Sequence, residues 1–200
     1  GTSVNQDDAL KQNANILDAP TAPAFEIYNG VLFDAIDLAN ASESVRARIV
    51  ERVLVQSALF GVVGFGDAIP AYRCSADSTL PRLGRLGAFW RERLHQPMSE
   101  LVADEWVLDL RSGPYATMWT PKGAGRERFA TVKVMQERDG KRQAVSHFNK
   151  ATKGHIVRAL CELSSEVHTT SQAIEALAAA GFEVALVTTQ QHAIIEVMCR

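Results

Sequence analysis

Cysteine is scarce in this 200-residue chain: Cys74, Cys161 and Cys199 lie far apart and form no C-x-x-C pair. That excludes a disulfide scaffold and points to reduced, mostly buried thiols in a cytoplasmic protein. No apolar run approaches the roughly 20 residues that a membrane helix needs, and no signal-peptide pattern opens the sequence. Charge of one sign is not in excess either. With 21 basic and 23 acidic residues the formal net charge is -2, so any nucleic-acid contact has to come from a local patch. No internal repeat, Walker loop, dinucleotide fingerprint or Ser-His-Asp order appears, so no standard reaction class can be assigned. His147 and His155 have no HxxxH or carboxylate-spaced partner, so neither a metal site nor a cofactor is expected.

The composition suits a folded core: 46% of residues are hydrophobic and 22% charged, enough to bury an interior without a staple. Helical and strand patterns alternate along the chain. Residues 7–17 carry a helical pattern behind Asp7, which the Ala19 to Pro23 segment breaks. From Ser42, the run SESVRARIVERVLVQSALFG reads as one amphipathic helix with Ser42 as its cap. Leu59 to Phe65 reads as a buried strand or as a helix end plus turn, and Pro70 to Arg73 as extended chain. A helix over Leu86 to Leu101 follows, with Pro97 placed to kink or end it. Residues 105–110 then read as a strand. Residues 128–136 and 141–148 form a hairpin about Asp139-Gly140. A later helix capped by Thr170 or Ser171 stops at Gly181, and two strands, Phe182 to Thr188 and Ala193 to Met198, close the chain. A single α+β domain over residues 1–200, a mixed sheet flanked by helices, is the expected architecture.

The most informative stretch runs from His147 to Arg158. Ile156, Val157, Leu160 and Leu163 mark one apolar helical stripe, and Lys150, Lys153 and Arg158 fall mostly off it. Lysines at a helix start oppose the helix dipole by up to about 1 kcal/mol each, a cost that an anion at that end removes. The same residues also read as a solvated face paired with carboxylates.

Five blocks in order carry a resemblance: IYNGVLFDAI, ALFGVVGFGDAIPAYRCSADS, AFWRERL, VLDLRSGPY and HFNKATKGHIVRAL. Together they resemble the YaaA peroxide-stress protein family over about Ala22 to Leu186. The family's proline and Tyr-Arg pair fall on Pro70, Tyr72 and Arg73, its Phe-Trp pair on Phe89 and Trp90, and its fourth block on Leu110, Ser112 and Tyr115. Its basic and glycine positions fall on Lys150, Lys153, Gly154 and Arg158. The resemblance implies a fold of the family's own kind. It further implies a bacterial cytosolic protein that limits iron-driven damage under hydrogen peroxide and binds duplex DNA in a basic cleft. The family's N-terminal strand, with its proline- and serine-rich motif and lysine, has no counterpart before Val4, so part of that cleft is expected to be missing. Phe65 replaces an arginine that commonly follows the 59–64 turn, which argues against phosphate contact there.

The candidate anion or nucleic-acid site is therefore Tyr72, Arg73, Asn149, Lys150, Lys153, Gly154 and Arg158, with Ser112 and Tyr115 as a neighbouring pocket. Arg73 reads either as a clamp for phosphate or carboxylate or as a buried arginine tying two segments together. Phe89 and Trp90 read as core beside Leu94. Cys161 reads as a small hydrophobe, and Cys74 has a neighbouring cation, Arg73, able to lower its pKa. The partner expected first is double-stranded DNA or another phosphate-bearing ligand. The alternative is an enzyme on a small anionic or nucleotide-like substrate, held by the same cations, with Tyr72 or Tyr115 in proton transfer.

Overall fold

The computed structural model describes residues 13–138, 141–144, 149–190 and 192–199. Its backbone is a mixed sheet of β7 (Val107–Asp109), β8 (Phe129–Arg138), β9 (Lys141–Ala144), β10 (Glu183–Thr188) and β11 (Ala193–Met198). The order is β10-β11-β8-β7, with β9 paired to the far end of β8. β8 runs parallel to both β7 and β11, whereas β10–β11 and β8–β9 are antiparallel.

The parallel register sets Val132 beside Ile195 and Val134 beside Val197. With period-2 side chains, this gives one apolar face, completed by Ala130, and it packs against Ile156 of α6 (Asn149–Glu162) and Ala173 and Leu177 of α7 (Thr170–Ala179). Each fully buried Val, Leu or Ile contributes about 1.5–3 kcal/mol, so Ile156 is a firm attachment of α6 to the sheet. The opposite face carries the Lys133–Glu196 ion pair.

The first half of the chain packs beside this sheet as smaller units. β1 (Thr21–Pro23) pairs with β4 (Ala68–Pro70), and α1 (Ala24–Ile27) and α2 (Val31–Ile36) follow β1. Ser42 caps α3 (Glu43–Arg52), its Oγ accepting from the Val45 amide at 3.3 Å. The helix read from the sequence as continuous past this point ends at Arg52. Val53 turns extended, and β2 (Leu54–Ser57) pairs with β3 (Gly61–Gly64) as a hairpin that buries Val63. β-branched residues that pack on a pleated surface outweigh a helical periodicity that here is only local. The hairpin turn needs glycine: Gly61 has φ +82°, and a Cβ there would stand 2.8 Å from the Trp90 ring.

β5 (Thr79–Leu80) and β6 (Gly84–Arg85) lead into α4 (Leu86–Leu101). Pro97 does not end this helix, because Leu94 and Met98 on either side are both anchored in a core with Trp119 and Phe129. The cap of α7 is Thr169, one residue before the expected Thr170 or Ser171, with its Oγ1 accepting from the Gln172 amide. The start of the 7–17 helix, the Asp139-Gly140 turn and residues 145–148 lie outside the described residues.

Candidate functional site

β7 ends at Asp109, whose side chain is 6% exposed. Two residues later Arg111 folds back onto it: Nε donates to Oδ1 at 2.8 Å and an Nη to Oδ2 at 2.9 Å. The Arg111 amide also donates to Oδ1. The same guanidinium reaches the Gln56 amide oxygen on β2 and the carbonyls of Tyr115 and Trp119. This planar, multidentate group joins β2, β7 and the short α5 (Gly113–Ala116), and its acceptors all come from protein. The segment-tying role open for Arg73 thus belongs to Arg111. Arg73 itself is exposed, with its backbone held by Asn13.

Tyr72 is half-buried among hydroxyls. Ser57 Oγ accepts from the Leu59 and Phe60 amides, which occupies both of its lone pairs, so its proton is left for Tyr72 Oη at 2.6 Å. Tyr72 Oη also shares a hydrogen bond of 2.8 Å with Tyr28 Oη. Burial, the dominant cause, pushes the Tyr72 phenol far above its ordinary value, so it stays protonated at any physiological pH. Tyr115 is raised too, again by burial, and senses the charges of Cys74 and Tyr28. All three tyrosines of the chain thus gather in one region. Ser112 sits exposed before α5 and makes no cap bond through its side chain. Cys74 departs from the sequence expectation: burial raises its thiol, and Arg73 contributes nothing to lower it. Cys161 is buried as expected.

α6 divides the remaining candidates. Lys150 is exposed. Gly154 lies where α2 crosses α6, and a Cβ there would collide with the Leu32 carbonyl oxygen and fall 2.7 Å from Ala35 Cβ. Arg158 is committed to protein acceptors: Glu162 at 2.6 Å and the carbonyls of Ile36, Asp37 and Asn40, which cap the end of α2 and the turn after it. Lys153 is the opposite case. It is 6% exposed and has neither a hydrogen bond nor an ion pair among the described residues. Burial pulls its ammonium below the usual lysine range, and the Asp109 carboxylate, already engaged by Arg111, restores only part of that. Four residues earlier, on the same helical face, Asn149 Oδ1 is buried and accepts nothing among the described residues. An uncommitted donor and an uncommitted acceptor therefore lie one turn apart beside the carboxyl end of β7.

The set Asp109, Arg111, Gln56, Ser57 and Tyr28 escaped the sequence reading. A readable signal existed in the Asp-x-Arg spacing directly after an apolar strand. Among the described residues no cluster of His, Cys, Asp or Glu is arranged to hold a metal, and no helix is long and apolar enough to cross a membrane.

A family model described as Peroxide stress protein YaaA matches residues 2–186. A UPF0246 protein of Streptomyces coelicolor is 45% identical over 175 residues, 88% of this chain and 66% of that protein. A UPF0246 protein of Corynebacterium glutamicum is 37% identical over 177 residues, covering 87% and 69%. An uncharacterised Campylobacter jejuni protein is 30% identical over 153 residues, covering 76% and 58%. The chain thus spans 58–69% of the length of these relatives. With the five motif blocks and 185 residues matched, the chain belongs to the YaaA peroxide-stress protein family.

Proposed function

We propose that this protein serves the peroxide-stress response by binding a small anionic ligand at the first-turn face of α6, beside the carboxyl end of β7. One observation carries the reading: Lys153 is buried with no partner, one helical turn from the orphaned acceptor of Asn149. Leaving a buried ammonium and a buried carbonyl unpaired costs several kcal/mol together, and a ligand that accepts from Lys153 and donates to Asn149 removes both costs. A hydrogen phosphate group, or a carboxylate bearing a hydroxyl or amine, has that chemistry. In the enzyme form of this reading, Tyr72 does not serve as a base, because burial keeps its phenol protonated.

Duplex DNA, with iron-driven damage limited by occupancy, is the second reading, and it rests on Arg73 and Lys150, the two candidate cations that face solvent. Backbone contacts to DNA require such cations and weaken steeply with salt. A salt titration with labelled duplex, competed by inorganic phosphate and by a mononucleotide, separates the readings. Saturable phosphate or mononucleotide binding that Lys153→Met abolishes supports the anion centre. Tight duplex binding that falls steeply with salt, resists mononucleotides and is lost in Arg73→Ala/Lys150→Ala supports DNA and overturns the first reading.

A further inference from the structure

β7 is an edge strand by pairing and an inner strand by composition. It pairs with β8 alone, and its run Trp106-Val107-Leu108-Asp109-Leu110 has no lysine or proline of the kind that blunts an exposed edge. Both of its faces are covered. Val107 joins the core of Leu94, Met98, Trp119 and Phe129, while Leu108 and Leu110 join the layer under α6 and α7. Parallel strands covered on both faces belong inside a sheet, with a neighbour on each side.

The register identifies the backbone groups that lack this neighbour. The Val107 amide donates to the Arg128 carbonyl at 2.8 Å, so Val107 and Asp109 turn their polar groups towards β8 and Leu108 turns its amide and carbonyl the other way. On that side Leu108 has no hydrogen bond among the described residues. The main chains of Trp106 and Leu110, two positions before and after it, have none either. All three residues are half-buried, where an unmet backbone donor or acceptor is unfavourable. The opposite edge of the sheet is different: along β10, Glu183, Leu186, Val187 and Thr188 are exposed, and water serves the free groups there.

We propose that the free edge of β7 accepts one more strand, short, apolar and parallel to it, and that the occupant is polypeptide from the part of the relatives' length that this chain does not cover. The match to the Streptomyces coelicolor relative leaves a third of that protein outside. A strand parallel to β7 needs a crossover of roughly a dozen residues or more, which that length supplies. A second copy of this chain fits the edge poorly. A twofold axis would pair β7 with itself, antiparallel, over three residues, far short of the roughly 1,200 Å² that a stable interface buries. Running parallel, the added strand ends beside Asp109, the end of β7 whose carboxylate acts on Lys153, yet its docking does not depend on an anion there.

The test is amide hydrogen exchange of the ¹⁵N-labelled protein, with and without overlapping synthetic peptides that span the unmatched part of the Streptomyces coelicolor relative. The expected result is that one apolar peptide slows exchange at Leu108 and Leu110 at least tenfold and saturably. Val107 and Asp109, whose amides already face β8, should change much less and serve as internal references. Leu108→Pro deletes the outward amide and leaves the β8 side of the ladder in place, so it should abolish the peptide's protection of Leu110. Leu108→Ala keeps the amide and should bind within a few-fold of the parent. Equal loss in both variants would make the side chain and not the backbone edge the contact, and would overturn the proposal. So would a Leu108 amide that no peptide protects at millimolar concentration, because water alone then covers the edge. Protection of Leu108 that grows with protein concentration, without any peptide, would overturn the named occupant in favour of a second copy. None of these results bears on phosphate binding at Lys153, which its own titration reads.

Discussion

The two faces of α6 meet opposite surroundings. On one, Gly154 and Arg158 are consumed by α2: the glycine lets the backbones touch, and the guanidinium closes the carbonyls at the end of that helix. On the other, Asn149 and Lys153 are as deeply placed yet bond to nothing described, and they look towards a carboxylate already neutralised by Arg111. The contrast separates two kinds of polar residue that a sequence motif runs together. Groups whose bonds are all met hold the fold, and buried groups whose bonds are unmet are where a ligand has something to add.

The largest expected effect comes from the wall that the open face looks at. Arg111→Ala should cost about 3–5 kcal/mol, since it strands a buried carboxylate. Thermal unfolding should show this as a drop of roughly 10 °C or more for a domain of this size. If the drop is small, Asp109 and Arg111 are not the support described above. On the closed face, Gly154→Ala should cost about 1–3 kcal/mol, because an added Cβ would collide with the Leu32 carbonyl and either α2 or α6 must retreat. A Gly154→Ala variant as stable as the parent would refute the tight crossing.

The open face should behave in the reverse sense. Lys153→Met should raise stability at neutral pH by about 1–2 kcal/mol while abolishing phosphate binding, as expected when a buried unpaired charge gives way to an apolar side chain. The pH dependence sharpens this. Folding lowers the lysine pKa, so between the lowered value and the ordinary lysine value the unfolded chain binds more protons than the folded one. Stability contributed by this group therefore rises with pH across that window, and the rise should be missing in Lys153→Met. Denaturant unfolding of both proteins at several alkaline pH values measures it. An anion bound at Lys153 should in the same window take up a fraction of a proton, readable by calorimetry in buffers of different ionisation enthalpy. The smallest effect concerns Cys74: with its thiol raised by burial, it should alkylate with iodoacetamide more slowly than free cysteine at pH 8.

Much of the fold was legible because its signals are local. The Leu86 to Leu101 helix, the Ser42 cap and the two closing strands follow from periodicity, capping chemistry and turn residues. The run after Arg52 was misread as helix because its periodicity is real but its hydrogen bonds are made across the hairpin. The candidate site was legible only in part. Motif spacing placed Lys150, Lys153, Gly154 and Arg158 on one helix, yet which of them is buried, consumed or open depends on what packs against each. That information sits in residues more than a hundred positions away, at Leu32, Ile36 and Asp37. Asp109 and Arg111 escaped for the opposite reason. They are neighbours in sequence, but their importance comes from Gln56 and Trp119, which the sequence places elsewhere.

The gathering of Tyr28, Tyr72 and Tyr115 has a practical consequence for anyone following this protein in solution. With no other tyrosine in the chain, every tyrosine contribution to absorbance, near-ultraviolet dichroism or nitration arises from this one neighbourhood. The sequence therefore carries its own spectroscopic gauge of the junction between the β2–β3 hairpin and the segment after β7, readable without any added label.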